Sequence, residues 1–214
     1  MITDGDGQVL LRAEDPSRWG DSLSGDVLVR RALLGSEAAS VEVLPGIGAP
    51  SVTMISTVPI MDKQQTVGSV SAAIDLNQAF VDGLKSKTGL QSSVYGGDTI
   101  SATTFLAADS VTHLTGTRLV GATIKQQVLN NGSTYSGDLS LAGGKYLGAI
   151  VALKDVDNVP VGMLLVAQPQ SSVLRTAGRS VELTFALTSL LLVLCLLPAY
   201  FVTKGLVGQL GRQP

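Results

Sequence analysis

The stretch Ser40–Asp75 reads SVEVLPGIGAPSVTMISTVPIMDKQQTVGSVSAAID. Its β-branched residues alternate with small and polar ones, and Gly46, Gly48, Pro50 and Pro59 interrupt it. An alternating run presents one face to a core and the other to water, and β-branched side chains suit a pleated surface. The pattern predicts three antiparallel strands, VEVLP, SVTMISTVPI and TVGSVSAAID, joined by turns.

On the N-terminal side, Ile2 to Asp15 reads as two short strands around Asp4-Gly5-Asp6-Gly7, a hairpin signal because glycine takes positive φ without steric cost. Ser22 to Leu34 carries Leu23, Val27, Leu28, Leu33 and Leu34 on one helical face, with Gly35 as terminator. On the C-terminal side, Leu76 to Lys87 reads as a helix with Phe80, Val81 and Leu84 on one face and Gly89 closing it.

The pattern then begins again. Ser92 to Thr104 is a second hairpin around Gly96-Gly97-Asp98, and Val120 to Leu129 a second short helix ending near Gly132. Tyr135 to Gln168 returns to strands, with turns at Gly143-Gly144 and Asp157-Asn158. Val58-Pro59-Ile60-Met61-Asp62 leading to Val67-Gly68-Ser69-Val70 is echoed by Ala152-Leu153-Lys154-Asp155 leading to Val161-Gly162-Met163-Leu164. The connectors differ in length, and chance likeness between two meanders is the alternative. The expected fold class is α+β, in two tandem units that each hold a hairpin, a helix and a three-stranded meander.

Leu183–Val202, LTFALTSLLLVLCLLPAYFV, is about 20 residues without a charge, enough for a helix to cross a hydrocarbon core. Arg175, Arg179 and Glu182 bound it on one side and Lys204 and Arg212 on the other, with Tyr200 and Phe201 near one end. It reads as a membrane span, in contact with the lipid bilayer. The basic residues divide evenly between its flanks, so charge does not set its orientation. The N-terminus has neither a basic region nor an apolar one of the kind that directs secretion, and the expectation is a fragment.

The 214 residues carry a net charge of −2 with scattered Lys and Arg, which argues against a nucleic-acid partner. Cys195 is the only cysteine and lies inside the apolar run, so neither an internal disulfide nor a cysteine metal site is available. No HExxH, GxSxG or phosphate-loop string occurs, and Gly96-Gly97-Asp98 reads as a turn. No enzyme activity and no cofactor are expected of this chain.

The strings TDGDGQVL (3–10), WGDSL (19–23), ALLG (32–35), PIMD (59–62) and VGSVSAAIDL (67–76) resemble the double Cache family of extracytoplasmic sensor modules. So do GTRLVGAT (116–123), YSG (135–137) and KYLG (145–148) in the second half. The likeness covers nearly all of residues 1–170 and lies in turns, glycines and apolar positions. It implies a membrane-distal PAS-like lobe over 1–80, a membrane-proximal lobe over 81–174, a transmembrane helix over 181–203 and the start of a HAMP-like linker over 204–214. It further implies small-molecule sensing and signal transduction across the plasma (inner) membrane, for a chemoreceptor, a histidine kinase or a cyclic-dinucleotide enzyme. The implied ligand is an amino acid, an amine or a carboxylate, and the implied assembly is a homodimer.

Several side chains are candidates for the ligand site. Arg18 can clamp a carboxylate and Trp19 cover an apolar group; their ordinary reading is a solvated arginine and a tryptophan packed between helix and sheet. Asp75 stands where amine-sensing members of the family carry the acid that meets the ligand ammonium, and its ordinary reading is a cap for the helix at Leu76. Tyr95, Arg118, Tyr135 and Tyr146 are candidates to line a second pocket, partial burial being the ordinary account. His113, the sole histidine, reads as solvated. The rival readings are a binding module anchored to a membrane by its tail, with its soluble part in the cytoplasm, and an assembly protein whose lobes dimerise without a ligand.

Overall fold

In the computed structural model, the structure describes residues 1–118 and 120–171. The predicted membrane span and the HAMP-like segment lie outside these residues. Among the described residues no helix is long and apolar enough to cross a membrane.

Strands β1 (Ile2–Asp4) and β2 (Val9–Leu11) form the first hairpin. Asp4 Oδ1 accepts from the amides of Asp6 at 3.0 Å and Gln8 at 2.8 Å, so one side chain closes the turn. Helix α1 (Val27–Leu33) starts later than the apolar pattern suggested, because Asp26 accepts from the amides of Leu28 and Val29 and caps it. The three strands expected over 40–75 are β3 (Ala38–Leu44), β4 (Ser51–Asp62) and β5 (Gln65–Asp75). They complete an antiparallel sheet of order β2-β1-β5-β4-β3.

Helix α2 (Gln78–Thr88) ends at Gly89, which is left-handed at φ 73°. After it come β6 (Gln91–Gly96), β7 (Thr99–Thr103), α3 (Ala122–Lys125), β8 (Tyr135–Leu141), β9 (Gly144–Lys154) and β10 (Pro160–Pro169). The predicted second helix is a single α turn that widens into a π-helical turn over Gln126–Asn130. The β8–β9 turn centres on Ala142 and Gly143, both at positive φ, one residue earlier than the glycine pair suggested. The second sheet has the order β7-β6-β10-β9-β8. Counted from its own first strand, each sheet runs 2-1-5-4-3.

Both sheets belong to one compact unit, Met1–Gln168. A shared core explains this: Val41 and Val52 from the first sheet, Leu76 and Val81 from the α2 region, and Val94 and Ala102 from the second sheet form one buried cluster. Gly96 lets the β3–β4 hairpin close on the second sheet, since a Cβ there would lie 2.7 Å from Val43 Cγ1 and 2.8 Å from Pro50 Cγ. A second cluster, Tyr95, Ile100, Phe105, Val128, Leu139, Leu141, Ile150, Met163, Leu165 and Ala167, fills the opposite face of the second sheet.

Helix α1 buries Leu28, Val29 and Ala32 on β3, β4 and β5. Strand alternation puts Thr3, Thr57, Ser69, Ser71 and Asp75 on one face. The first three are buried. Their hydroxyls are satisfied in pairs, Thr3 with Ser69 at 2.7 Å and Thr57 with Ser71 at 2.9 Å. Small residues let the helix approach this face closely, and pairing the hydroxyls removes the desolvation cost of burying them.

Candidate ligand-binding site

An open cleft of about 630 Å³ lies over the first sheet, lined by Met1, Ala13, Glu14, Ile55, Ser71, Ala72, Ala73 and Asp75. Ile55, Ser71, Ala73 and Asp75 share the face that carries α1. β4 and β5 run directly opposite here, and Thr53, the register partner of Asp75, donates from Oγ1 to Asp75 Oδ1 at 2.8 Å. That bond orients an otherwise exposed carboxylate at the end of the sheet. The Met1 ammonium donates to the Ser71 carbonyl at 2.9 Å, and the segment through Ala13 and Glu14 forms another wall. The cleft thus joins a small, largely apolar floor to two acidic side chains, a combination that suits a cation on a short hydrocarbon body.

Asp75 does not cap α2. The cap is Asn77, whose Oδ1 accepts from the Phe80 amide at 3.2 Å, and the helix begins at Gln78, beyond the reach of a cap at position 75. Glu14 went unnoticed in the sequence because it sits in a polar, aperiodic run before Pro16; only the return of the chain over the sheet brings it to the cleft.

Arg18 and Trp19 do not line this cleft. Trp19 is 71% exposed rather than packed between helix and sheet, because α1 starts eight residues later and the intervening loop is held by polar bonds. Arg12 supplies them, donating to the Arg18 carbonyl at 3.0 Å and, in a two-bonded pair, to Asp21 at 2.6 and 2.7 Å. The Arg12 hydrogen bonds hold the Asp21 carboxyl down at about 2. The Arg18 side chain is exposed, as its ordinary reading has it.

Three of the four second-half candidates come together. Tyr95 is fully buried in the cluster on the second sheet, with Tyr135 and Tyr146 packed against its edge. Tyr146 meets Phe105 edge to face at 5.2 Å. The Tyr135 hydroxyl donates to the Asp138 carbonyl at 2.8 Å. Among the described residues the Tyr95 hydroxyl makes no well-formed hydrogen bond, and burial pushes its phenol pKa well above the usual value, a rise that the nearby Ser93 side chain opposes only in part. Arg118 turns elsewhere, to Asp98 at 3.1 Å, beside Lys125 at 2.6 Å from the same carboxylate. Lys125 first, and Arg118 after it, hold the Asp98 carboxyl below its usual range. His113 is half-buried rather than solvated: its Nδ1 lies 2.6 Å from the Thr103 carbonyl, at the end of β7. Among the described residues no group of acids, histidines or cysteines has the arrangement of a metal site.

Residues 72–179 match the family model of single cache domain 3. The chain belongs to the single Cache domain 3 family. Its two antiparallel sheets with few helices are those of the PAS-like Cache fold. Cache domains serve extracytoplasmic sensing for signalling receptors, and this Cache domain is a sensor of that kind. The family match spans the second sheet and reaches back to the last residues of β5, including Asp75.

Among solved structures, the Cache chain is similar to one described as methyl-accepting chemotaxis protein X, with 15% identity, 71% of this chain and 58% of that chain covered, and a TM-score of 0.39. It is similar to the periplasmic sensory domain of the Campylobacter jejuni chemoreceptor Tlp1, with 17% identity, 73% and 60% covered, and a TM-score of 0.38. It is also similar to the ligand-binding domain of the Pseudomonas aeruginosa PAO1 amino acid chemoreceptor PctC in complex with GABA, with 16% identity, 78% and 73% covered, and a TM-score of 0.38. The chain spans less than two thirds of the first two of these. No curated protein sequence matches it.

Proposed function

We propose that this chain is the small-molecule-sensing part of a transmembrane signalling receptor, built from two tandem Cache lobes, and that its ligand is a cationic amine held in the Asp75 cleft. The observation that carries the ligand class is the pairing of a sheet-anchored carboxylate, Asp75, with Glu14 across an open cleft whose other walls are small. The two acids outnumber the Met1 ammonium in the lining, so the cleft favours a cation over a free carboxylate. The Arg18 side chain, which the sequence offered for a carboxylate, is absent from the lining.

The tandem reading is supported by the repeated 2-1-5-4-3 strand order, with one lobe over 1–80 and the other over 81–174. The lobes lie outside the plasma membrane, the segment 181–203 spans it, and 204–214 begins a HAMP-like linker to an output such as a kinase, a chemotaxis signalling domain or a cyclase. The receptor works as a homodimer. Ligand that binds one arrangement of the first lobe more tightly shifts the population towards it, without chemistry on the ligand.

Isothermal titration of the full chain in lipid nanodiscs tests the ligand class, using 1,4-diaminobutane, butylamine, γ-aminobutyrate and butyrate. The amines bind and butyrate does not; binding of butyrate alone overturns the ligand class. Labelling of an Asp138→Cys variant in a Cys195→Ser background with a membrane-impermeant maleimide tests the topology, and protection until lysis overturns it.

A further inference from the structure

The second sheet reaches back onto the first at the β9–β10 turn. Arg31, in the last turn of α1, donates from Nη1 to the Val156 carbonyl at 2.8 Å and from Nη2 to Asp157 Oδ1 at 2.7 Å. The Val156 amide in turn donates to Ser40 Oγ, in β3, at 3.1 Å. Both backbone polar groups of Val156 are therefore held from the first sheet's layer, one by its helix and one by a strand.

The turn is stiffened by its own bonds. Asp155 Oδ1 accepts from the amides of Asp157 and Val159, each at 2.9 Å, and the Asp155 amide donates to the Val159 carbonyl at 2.9 Å. From it, β10 runs through the middle of the second sheet, paired with β6 on one side and beside β9 on the other. At the far end of this connection, α1 rests on the sheet face whose Ile55, Ser71, Ala73 and Asp75 line the cleft.

We infer that Arg31 and Ser40 form a latch that carries a displacement of α1, packed on the β4 and β5 strands that floor the Asp75 cleft, through the β9–β10 turn to β10. This inference rests on the reading of that cleft as the ligand site. A stiff turn gripped at two points moves as a body, so a shift of the helix translates the start of β10 instead of bending the loop. The ion pair to Asp157 is exposed and adds little alone. The specific element is the fork of the guanidinium, which holds a carbonyl and a carboxylate at once; a lysine at position 31 offers no such geometry. Both elements are packed, as a coupling of discrete arrangements requires.

Hydrogen exchange on the full chain in nanodiscs tests the latch. In Arg31→Lys and Ser40→Ala, amides of residues 155–159 exchange roughly tenfold faster than in the parent as the turn opens locally. Filling the cleft with Ala73→Phe alters exchange along β10 in the parent and leaves β10 unaltered when combined with Arg31→Lys. Ala73→Leu serves the same purpose if the larger side chain prevents folding. Unaltered β10 exchange in the filled but folded protein overturns the latch, as does an equal response with and without Arg31. Titration with 1,4-diaminobutane separates the two readings. No binding with a responsive β10 overturns the amine ligand and leaves the latch standing; binding with an unresponsive β10 overturns the latch alone.

Discussion

Thr53 and Asp75 stand directly opposite each other on β4 and β5, and the threonine hydroxyl donates to Asp75 Oδ1 at 2.8 Å. The bond ties a carboxylate in the lining of a cleft to the neighbouring strand of the sheet. A charged group fixed in this way loses less entropy on binding a cation than one on a free rotor.

Asp75→Asn keeps the size of the side chain and removes its charge. Because a hydrogen bond to a charged group is worth about 1.5–3 kcal/mol, amine affinity falls roughly tenfold to a hundredfold, as calorimetry on the full chain will show. Thr53→Val lowers affinity less, through looser positioning. Unchanged affinity in Asp75→Asn removes this residue from the site.

Asn77→Ala removes the cap of α2 and lowers stability by about 1 kcal/mol in denaturant melts. Asp75→Ala stays within about 0.5 kcal/mol of the parent, as an exposed position without a capping role does. A loss as large at Asp75 as at Asn77 makes the aspartate structural.

Tyr95→Phe removes a buried hydroxyl that makes no well-formed hydrogen bond among the described residues, while keeping the ring that fills the second cluster. Leaving such a group unsatisfied costs about 1–3 kcal/mol, so the variant is as stable as the parent or more stable by up to that amount. A raised melting temperature is the expected result. A drop in melting temperature shows that the hydroxyl is bonded in solution, to water or to a bound molecule.

Asp21 and Asp98 contribute to the acid limb of stability, alongside Asp109, whose carboxyl is held down at about 2 by hydrogen bonds from the Thr112 side chain and the Val111 and Thr112 amides. Both carboxyls are held below their usual range in the folded chain, Asp21 at about 2 by Arg12 and Asp98 by Lys125 and Arg118. A depressed carboxyl contributes stability that is complete above its unfolded pKa, near 4, and is lost as pH falls through the folded value. Unfolding followed from pH 5 down to pH 2 shows a decline that is shallower in Asp21→Asn and in Asp98→Asn than in the parent. Identical slopes in all three show that neither pair survives in solution.

Gly96→Ala forces a methyl against Val43 and Pro50, where the β3–β4 hairpin closes on the second sheet. Overpacking of this kind costs about 1–3 kcal/mol, read as a lower denaturant midpoint, and Pro50→Ala in the same chain restores part of it.

Much of the architecture was legible from local chemistry. The alternation in Ser40–Asp75 names β3, β4 and β5 because a period of two has no other regular use, and Gly35 and Gly89 end the helices before them because both take positive φ. The starts of the helices were less legible. Asp26 and Asn77 each stand where an apolar count extends the helix outward, and capping outweighs the count. The π-helical turn after α3 left no mark, since its apolar spacing fits an ordinary helix equally well.

The candidate site divides along the same line. Asp75 was offered by the family resemblance, and it lines the cleft. Glu14, Arg31 and Ser40 were not, because their partners lie far along the chain: Glu14 joins β4 and β5 at the cleft, and Arg31 and Ser40 meet a turn more than a hundred residues away. Trp19 was misread because a lone tryptophan is ordinarily buried, whereas here Arg12 ties down the loop and leaves the ring in water.

By itself the sequence determined the two hairpins, the two meanders and the order in which they follow, because each depends on residues within a few positions of one another. The tertiary structure alone decided that the two sheets share a buried cluster through α2, that Asp75 and Glu14 line one cleft, and that Arg31 holds the β9–β10 turn. These are contacts between distant segments, set by which faces the strands present once their register is fixed, and no local pattern encodes them.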